Sequence, residues 1–175
     1  ALLKQLRAAE SEKERFVTYY FNGQREEPFP LEERLIIPST KIATYDLQPE
    51  MSTPQLVRSF CQTYAADGHS LAILNIACPD MVAHTGNIEK TVSAIKAADT
   101  GLAALVELAD KTDSYLIMTG DHGNAEELLN RTSGDMDTEH SLFPVPFILY
   151  SKEKLTGKLE NGVLADIAPT ILTVA

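Results

Sequence analysis

Residues 71–86 read LAILNIACPDMVAHTG, and this stretch decides the fold class that we predict for the chain. Its first seven residues, 71–77, are nearly all apolar, as a strand must be when its sheet is covered on both faces. Polar residues follow at once, and in open α/β sheets ligands gather at the carboxyl ends of the strands. The stretch therefore predicts a buried strand with chemistry at its end.

Helical and strand-like segments alternate on both sides of this stretch. Helices are predicted from Ser52 to Asp67-Gly68, from Asn87 onward, and over 166–174. The apolar positions expected to face the core from the second helix are Ile88, Val92, Ile95, Leu102, Leu105 and Val106. Further strands are predicted over 16–21, 35–37, 115–118 and 145–150. This order predicts an α/β fold with a mostly parallel sheet flanked by helices.

Composition limits the classes of partner. The chain has 175 residues, which fits one domain, and its 15 basic and 25 acidic side chains give a net charge of −10. Nucleic acids and anionic membranes attract basic surfaces, so neither is an expected partner. No apolar run approaches the roughly 18 residues of a membrane span. The two cysteines, Cys61 and Cys78, form no disulfide framework and favour a reducing, cytoplasmic location.

Acidic and histidine side chains follow the predicted strands and suggest a metal site. Asp80 and His84 are four residues apart, so one helical turn places both on one face. Asp121-His122 follows another strand, and His140 precedes the last one. Taken singly, these residues fit a solvated surface or a turn, but together they favour a zinc or manganese site. The remaining histidine, His69, is interpreted as a solvated loop residue.

Several segments resemble the cofactor-independent phosphoglycerate mutases. Residues 75–87 (NIACPDMVAHTGN) are similar to the family's metal motif, usually N-x-A-N-P-D-M-V-G-H-T-G. Further similar segments are 21–29 (FNGQREEPF), 38–52 (PSTKIATYDLQPEMS), 119–126 (TGDHGNAE) and 144–147 (PVPF). The resemblance extends from about Leu3 to the end of the chain. The departures, Gln24, Cys78 and Ala83, remove no metal ligand.

The resemblance implies an alkaline-phosphatase-like fold and a set of site residues. That family interconverts 3-phosphoglycerate and 2-phosphoglycerate, in glycolysis and gluconeogenesis, through a phosphoserine intermediate. Two divalent metals are implied, manganese first, with zinc, cobalt or magnesium as alternatives, and no organic cofactor. The implied residue roles are as follows: Asp80, His84 and His140 hold one metal, Asp121 and His122 help to hold the other, and Lys41 contacts the transferring phosphoryl group.

The resemblance also implies that residues 1–175 are the C-terminal portion of a phosphatase-like domain. The family's N-terminal segment, with its nucleophilic serine, and its inserted phosphotransferase domain would lie outside this chain. The expected protein is therefore part of an isomerase, inactive alone, whose parent is a cytoplasmic monomer that acts on phosphoglycerate. An open sheet edge could let the fragment self-associate. Two alternatives stay open: a catalytically silent metal-binding module, and a phosphomonoester hydrolase of the alkaline phosphatase superfamily.

Overall fold

The computed structural model describes residues 3–130, 132–153 and 155–174, so the predicted domain limits at 1 and 175 lie outside the described residues. The strands are β1 (Gln5–Glu10), β2 (Glu32–Ile37), β3 (Leu71–Leu74), β4 (Leu116–Thr119) and β5 (Phe147–Tyr150). The α-helices are α1 (Glu14–Val17), α2 (Thr53–Asp67), α3 (Cys78–Ala83), α4 (Ile88–Thr112) and α5 (Ile167–Val174). Within the described ranges, none of the helices has both the length and the apolar character needed to cross a bilayer.

A three-stranded parallel sheet, in the order β2-β1-β3, organises the first half of the chain. Its central strand, β1, pairs Ala8 with Leu35 on one side and with Leu74 on the other. Leu6 and Ala8 are fully buried and join the core formed with α2 and α4. Because the strands are parallel, their carboxyl ends lie at one edge, where the candidate site is found.

The central strand is also the element that the sequence reading missed. Residues 5–10 (QLRAAE) contain small and charged side chains, and they lack the β-branched and aromatic residues that predict strands. Arg7 and Glu10 are nevertheless only 3% and 0% exposed. Burial by flanking strands and helices overrides the weak local propensity here.

The predicted strand over 16–21 is wrong. The segment begins in the short helix α1 and continues as a turn. Its aromatic rings do not enter the core: Phe21 is 51% exposed and lies against the guanidinium of Arg7, with 4.2 Å between Arg7 Cζ and the ring centroid. Tyr19 is stacked in the same way on Arg15, at 4.1 Å. Stacking on arginine, rather than strand pairing, explains this aromatic run.

Helix α2 begins and ends where predicted, and α4 begins where predicted but buries another face. Asn87 caps α4 by accepting a hydrogen bond from the Lys90 backbone N–H. Leu105 is buried as expected, but Ile88, Val92 and Ile95 are 45%, 46% and 44% exposed. The buried face of α4 consists of Thr91, Ala94, Ala98, Gly101, Leu105, Leu108 and Ala109. These mostly small side chains let α4 lie close to its neighbours. Close packing, rather than the hydrophobicity of the side chains, therefore determines which face of α4 is buried.

The last two strands form a separate antiparallel pair. Leu116 pairs with Tyr150 and Thr119 with Phe147. The predicted strands over 115–118 and 145–150 are thus confirmed as β4, shifted by one residue, and the shorter β5. The 71–77 strand is confirmed but ends at Leu74, and the predicted 35–37 strand is part of the longer β2. The predicted terminal helix is confirmed as α5, preceded by a turn of 3-10 helix. The fold is α/β with a parallel sheet flanked by helices, as predicted.

Candidate metal centre

Three side chains converge at the carboxyl edge of the sheet: Asp80, His84 and His140. Asp80 Oδ1 lies 3.3 Å from His84 Nε2 and 3.4 Å from His140 Nε2. The two Nε2 atoms lie 3.1 Å apart. Among the described residues, these three offer ligand-type atoms that all lie within 4.8 Å of one another. The structure therefore brings together the three residues that were predicted to share one metal.

Local structure explains why Asp80 and His84 meet. Helix α3 begins at Cys78, shortly after β3 ends, with Pro79 in its first turn. The His84 backbone N–H donates to the Asp80 carbonyl at 3.1 Å, so the two residues lie one helical turn apart on the same face. His140 reaches them from the segment that precedes β5. The i, i+4 spacing made the first contact predictable, whereas the second depends on tertiary structure.

A backbone contact fixes the tautomer of His84. Its Nδ1 lies 2.8 Å from the Thr138 carbonyl oxygen, which can only accept a hydrogen bond, so Nδ1 carries the proton. In the neutral form of this tautomer the lone pair is on Nε2, the atom that lies beside Asp80 Oδ1 and His140 Nε2. A carboxylate oxygen and imidazole nitrogens held in this way are suitable ligands for a divalent cation. The donor set fits a metal ion.

Two further residues hold the carboxylate of Asp80, and the sequence reading assigned a role to neither. Lys13 Nζ donates to Asp80 Oδ2 at 2.7 Å, and the Asn124 side-chain amide donates to Oδ1 at 2.7 Å. Burial alone would raise the pKa of Asp80, but these hydrogen bonds outweigh it, and the pKa lies below its ordinary value. Asp80 is thus kept ionised and oriented.

Lys13 could have been found from its position in the fold. It ends the 3-10 turn that follows β1, at the same sheet edge as α3. Its side chain is only 15% exposed, which is unusual for a lysine. The sequence reading did not identify Lys13, because it did not predict β1, the strand that positions this lysine.

Asp121 and His122 lie beside this cluster, in the loop after β4. The His122 ring stacks on the His140 ring, with centroids 3.6 Å apart. The Asp121 carboxylate is exposed and lies 3.6 Å from His122 Nε2. Among the described residues, no third ligand-type side chain completes a group with this pair. The pair is placed where it could contribute to a second, adjacent ion.

Lys41 lies in the loop after β2, and its side chain is exposed. The described residues show no hydrogen bond or ion pair from it to the cluster. The start of this loop contacts the 3-10 turn that ends at Lys13, because the Ser39 backbone N–H donates to Ser11 Oγ at 3.0 Å. Lys13, and not Lys41, is the lysine that contacts a predicted ligand in this structure.

His69 is not the solvated residue that the sequence suggested. It is 7% exposed, and its Nε2 lies 3.0 Å from the Glu33 carboxylate. Its ring also stacks on Tyr64. The preceding residues Asp67 and Gly68 predicted an exposed turn, but the ring of His69 is buried. It lies outside the metal cluster, as predicted.

The two cysteines are unpaired. Cys78 is fully buried and its Sγ donates to the Ala94 carbonyl at 3.4 Å. Burial raises the pKa of the Cys78 thiol to about 11, so it stays protonated at neutral pH. Packing, rather than nucleophilic chemistry, explains this residue.

Comparison with known proteins shows the family to which the chain belongs. The profile of the Metalloenzyme superfamily matches residues 2–174. The 2,3-bisphosphoglycerate-independent phosphoglycerate mutase of Pseudomonas paraeruginosa is 45% identical over 170 residues, or 97% of this chain. The enzyme of that name from Clostridioides difficile is 48% identical over 169 residues, or 96% of this chain. Each match covers 33% of the relative, so the chain spans about a third of the length of the curated relatives it matches.

A solved structure shows the same fold. The crystal structure of Leishmania mexicana phosphoglycerate mutase at low cobalt concentration matches with a TM-score of 0.80 at 26% identity. The match covers 85% of this chain and 29% of that one. The resemblance inferred from the sequence motifs is therefore confirmed by sequence and by structure. Since the family profile runs along almost its whole length, the chain belongs to the Metalloenzyme superfamily.

Proposed function

We propose that this chain is part of a metal-dependent mutase that interconverts 3-phosphoglycerate and 2-phosphoglycerate through a phosphoserine intermediate. The observation that carries the proposal is the convergence of Asp80, His84 and His140 in a chain so similar to enzymes of that name. The reaction belongs to glycolysis and gluconeogenesis, and the substrate is phosphoglycerate.

The proposed cofactors are two divalent ions, with manganese as the preferred metal. Asp80, His84 and His140 would hold one ion, and Asp121 and His122 would contribute to the other. Bound metal would supply positive charge to the phosphoryl oxygens during transfer. The stacking of His122 on His140 supports two neighbouring sites over two independent ones.

The chain's own residues prepare this site. The Thr138 carbonyl accepts a hydrogen bond from His84 Nδ1–H, which leaves the lone pair of the neutral tautomer on Nε2. Lys13 and Asn124 keep Asp80 ionised and pointed at the two imidazoles. Lys41 is proposed to contact the phosphoryl group, for which its exposed position on the adjoining loop leaves it accessible.

We further propose that the chain is the C-terminal portion of the phosphatase-like domain and does not turn over substrate alone. Its relatives are about three times as long. This difference in length supports a division of the catalytic groups between this chain and the rest of the enzyme. The nucleophilic serine would come from the part of the enzyme outside the matched third. The same observation favours the second candidate function, a metal-binding module that is silent as an isolated chain.

Location and partners follow from the surface and the cysteines. Two unpaired cysteines support a reducing, cytoplasmic location, and the net charge of −10 argues against nucleic acid as a partner. Within the described residues β3 is an edge strand, which supports self-association of the chain as isolated. Light scattering should then show a mass that rises with concentration, whereas a strict monomer would contradict this.

A chimera tests the function. This chain replaces the matched third of the Clostridioides difficile enzyme, and conversion of 3-phosphoglycerate is followed with Mn²⁺ present. We expect conversion by the chimera, none by this chain alone, and none by the chimera carrying His84→Ala. Turnover by the isolated chain above a metal-only control would contradict the proposed division, and a folded, metal-binding chimera without turnover would favour the silent module.

A further inference from the structure

The carboxylate of Glu126 joins the two segments that surround the metal centre. Its Oε2 accepts a hydrogen bond from the Asn124 backbone N–H at 2.9 Å. Its Oε1 accepts a hydrogen bond from the Ser141 hydroxyl. One side chain thus connects the loop after β4 to the segment before β5, through a bond at each oxygen.

Both ends of this bridge lie beside residues of the metal cluster. Asn124 is 4% exposed, and its side chain donates to Asp80 Oδ1 at 2.7 Å. Ser141 directly follows His140, whose Nε2 lies 3.4 Å from the same oxygen. Displacing either end of the bridge would therefore move a group that contacts Asp80.

The backbone around the bridge is built to accommodate it. The Ser141 backbone N–H donates to the Gly123 carbonyl at 2.9 Å, so the two segments also meet as an isolated β-bridge. A Cβ at position 123 would overlap both Ser141 Oγ and the Glu126 carboxylate. Glycine is required at this position because the bridge occupies the space of a side chain.

We propose that Glu126 is a positioning residue of the metal centre, which fixes Asn124 and His140 relative to Asp80. The inference rests on the proposed function, since it assumes that the cluster binds metal. Glu126 itself is not a member of the ligand group found among the described residues, and each of its oxygens accepts a hydrogen bond. Outer groups of this kind affect metal affinity by orienting the ligands.

Four variants of the chain separate orientation from charge. Glu126→Ala removes the bridge, and Glu126→Gln keeps it, because an amide can accept from the Asn124 N–H and donate to the Ser141 hydroxyl. Ser141→Ala removes one end of the bridge, together with the hydrogen bond that Ser141 Oγ accepts from the Phe143 backbone N–H. Glu127→Ala is the matched control: it removes a neighbouring negative charge whose carboxylate makes no hydrogen bond within the described residues.

The readouts are Mn²⁺ affinity of the metal-stripped chain by calorimetry and the visible spectrum of its Co²⁺ form. We expect Glu126→Ala to weaken Mn²⁺ binding by about tenfold or more. Its Co²⁺ bands should shift, because the ligand geometry relaxes. Glu126→Gln and Glu127→Ala should keep the wild-type affinity and spectrum, and Ser141→Ala should fall between. A charge effect alone would instead make Glu126→Gln resemble Glu126→Ala.

The outcomes distinguish this inference from the function on which it rests. A wild-type chain that binds no Mn²⁺ contradicts the metal site itself. Wild-type binding that is equally tight in Glu126→Ala overturns the positioning role alone. If circular dichroism shows that Glu126→Ala does not fold, Ser141→Ala decides, and unchanged affinity and spectrum in that variant overturn the role.

Discussion

Lys13 Nζ lies 2.7 Å from Asp80 Oδ2, so one oxygen of the carboxylate is paired with the ammonium group of a half-buried lysine. The other oxygen, Oδ1, faces His84 and His140. The two oxygens therefore serve different partners, one a fixed cation and the other the proposed metal position. A cation so close to a ligand opposes metal binding, although it keeps the ligand ionised and in place.

This arrangement predicts that Lys13→Met tightens metal binding. The variant keeps most of the side-chain volume but removes the positive charge, while Asn124 still holds Asp80 Oδ1. We expect Mn²⁺ affinity at neutral pH to rise by about tenfold or more, because a unit charge about 4 Å from a divalent ion repels it by about 2 kcal/mol even at the dielectric of bulk water. Calorimetry measures it, with the exposed Lys152→Met as control. Weaker binding would show that Lys13 mainly orients Asp80.

Lys41 is tested by turnover, since its predicted role concerns the phosphoryl group. In the active chimera, Lys41→Ala should reduce kcat by about 100-fold, the size of effect seen when a contact to transition-state charge is removed. An exposed loop lysine contributes little packing, so the thermal midpoint should stay unchanged. Lys152→Ala, another exposed lysine, is the control. Undiminished turnover would remove Lys41 from the site and leave Lys13 as the lysine to test there.

Glu10 should make stability depend on pH. It is fully buried on the central strand, and burial raises its pKa against opposing hydrogen bonds from Ser52, Thr53 and Ser39. The folded state therefore holds the proton more tightly than the unfolded state. Its contribution is present below the ordinary pKa of 4.5 and is lost as pH rises through the folded value.

Glu10→Gln removes that titration. The free energy of unfolding of the variant, minus that of wild type, should increase from pH 4 to pH 7 in urea titrations. The exposed Glu27→Gln should show no such trend. A difference that stays constant with pH would mean that Glu10 titrates alike in both states.

Local patterns predicted part of the site, and long-range contacts determined the rest. Asp80 and His84 are related by helical spacing, which is visible in the sequence. The contact of Lys13 with Asp80 spans 67 residues and depends on a strand whose residues have weak strand propensity. The order of apolar segments predicted the α/β class, whereas the aromatic and β-branched residues of 16–21 predicted a strand that does not form. Residue type alone gives the wrong prediction where arginines stack on aromatic rings and where small side chains set the spacing between helices.

The central claim is that Asp80, His84 and His140 form one metal site that is complete within this chain. Three protein ligands leave a position open for water or substrate, whereas Asp121 and His122 supply fewer ligands to a second ion. The decisive measurement is calorimetric titration of the metal-stripped chain with Mn²⁺ at neutral pH, repeated for His84→Ala and for His69→Gln. We predict one tight event and one much weaker event in wild type, loss of the tight event in His84→Ala, and its retention in His69→Gln. Two equal sites, or tight binding that survives His84→Ala, would contradict the assignment.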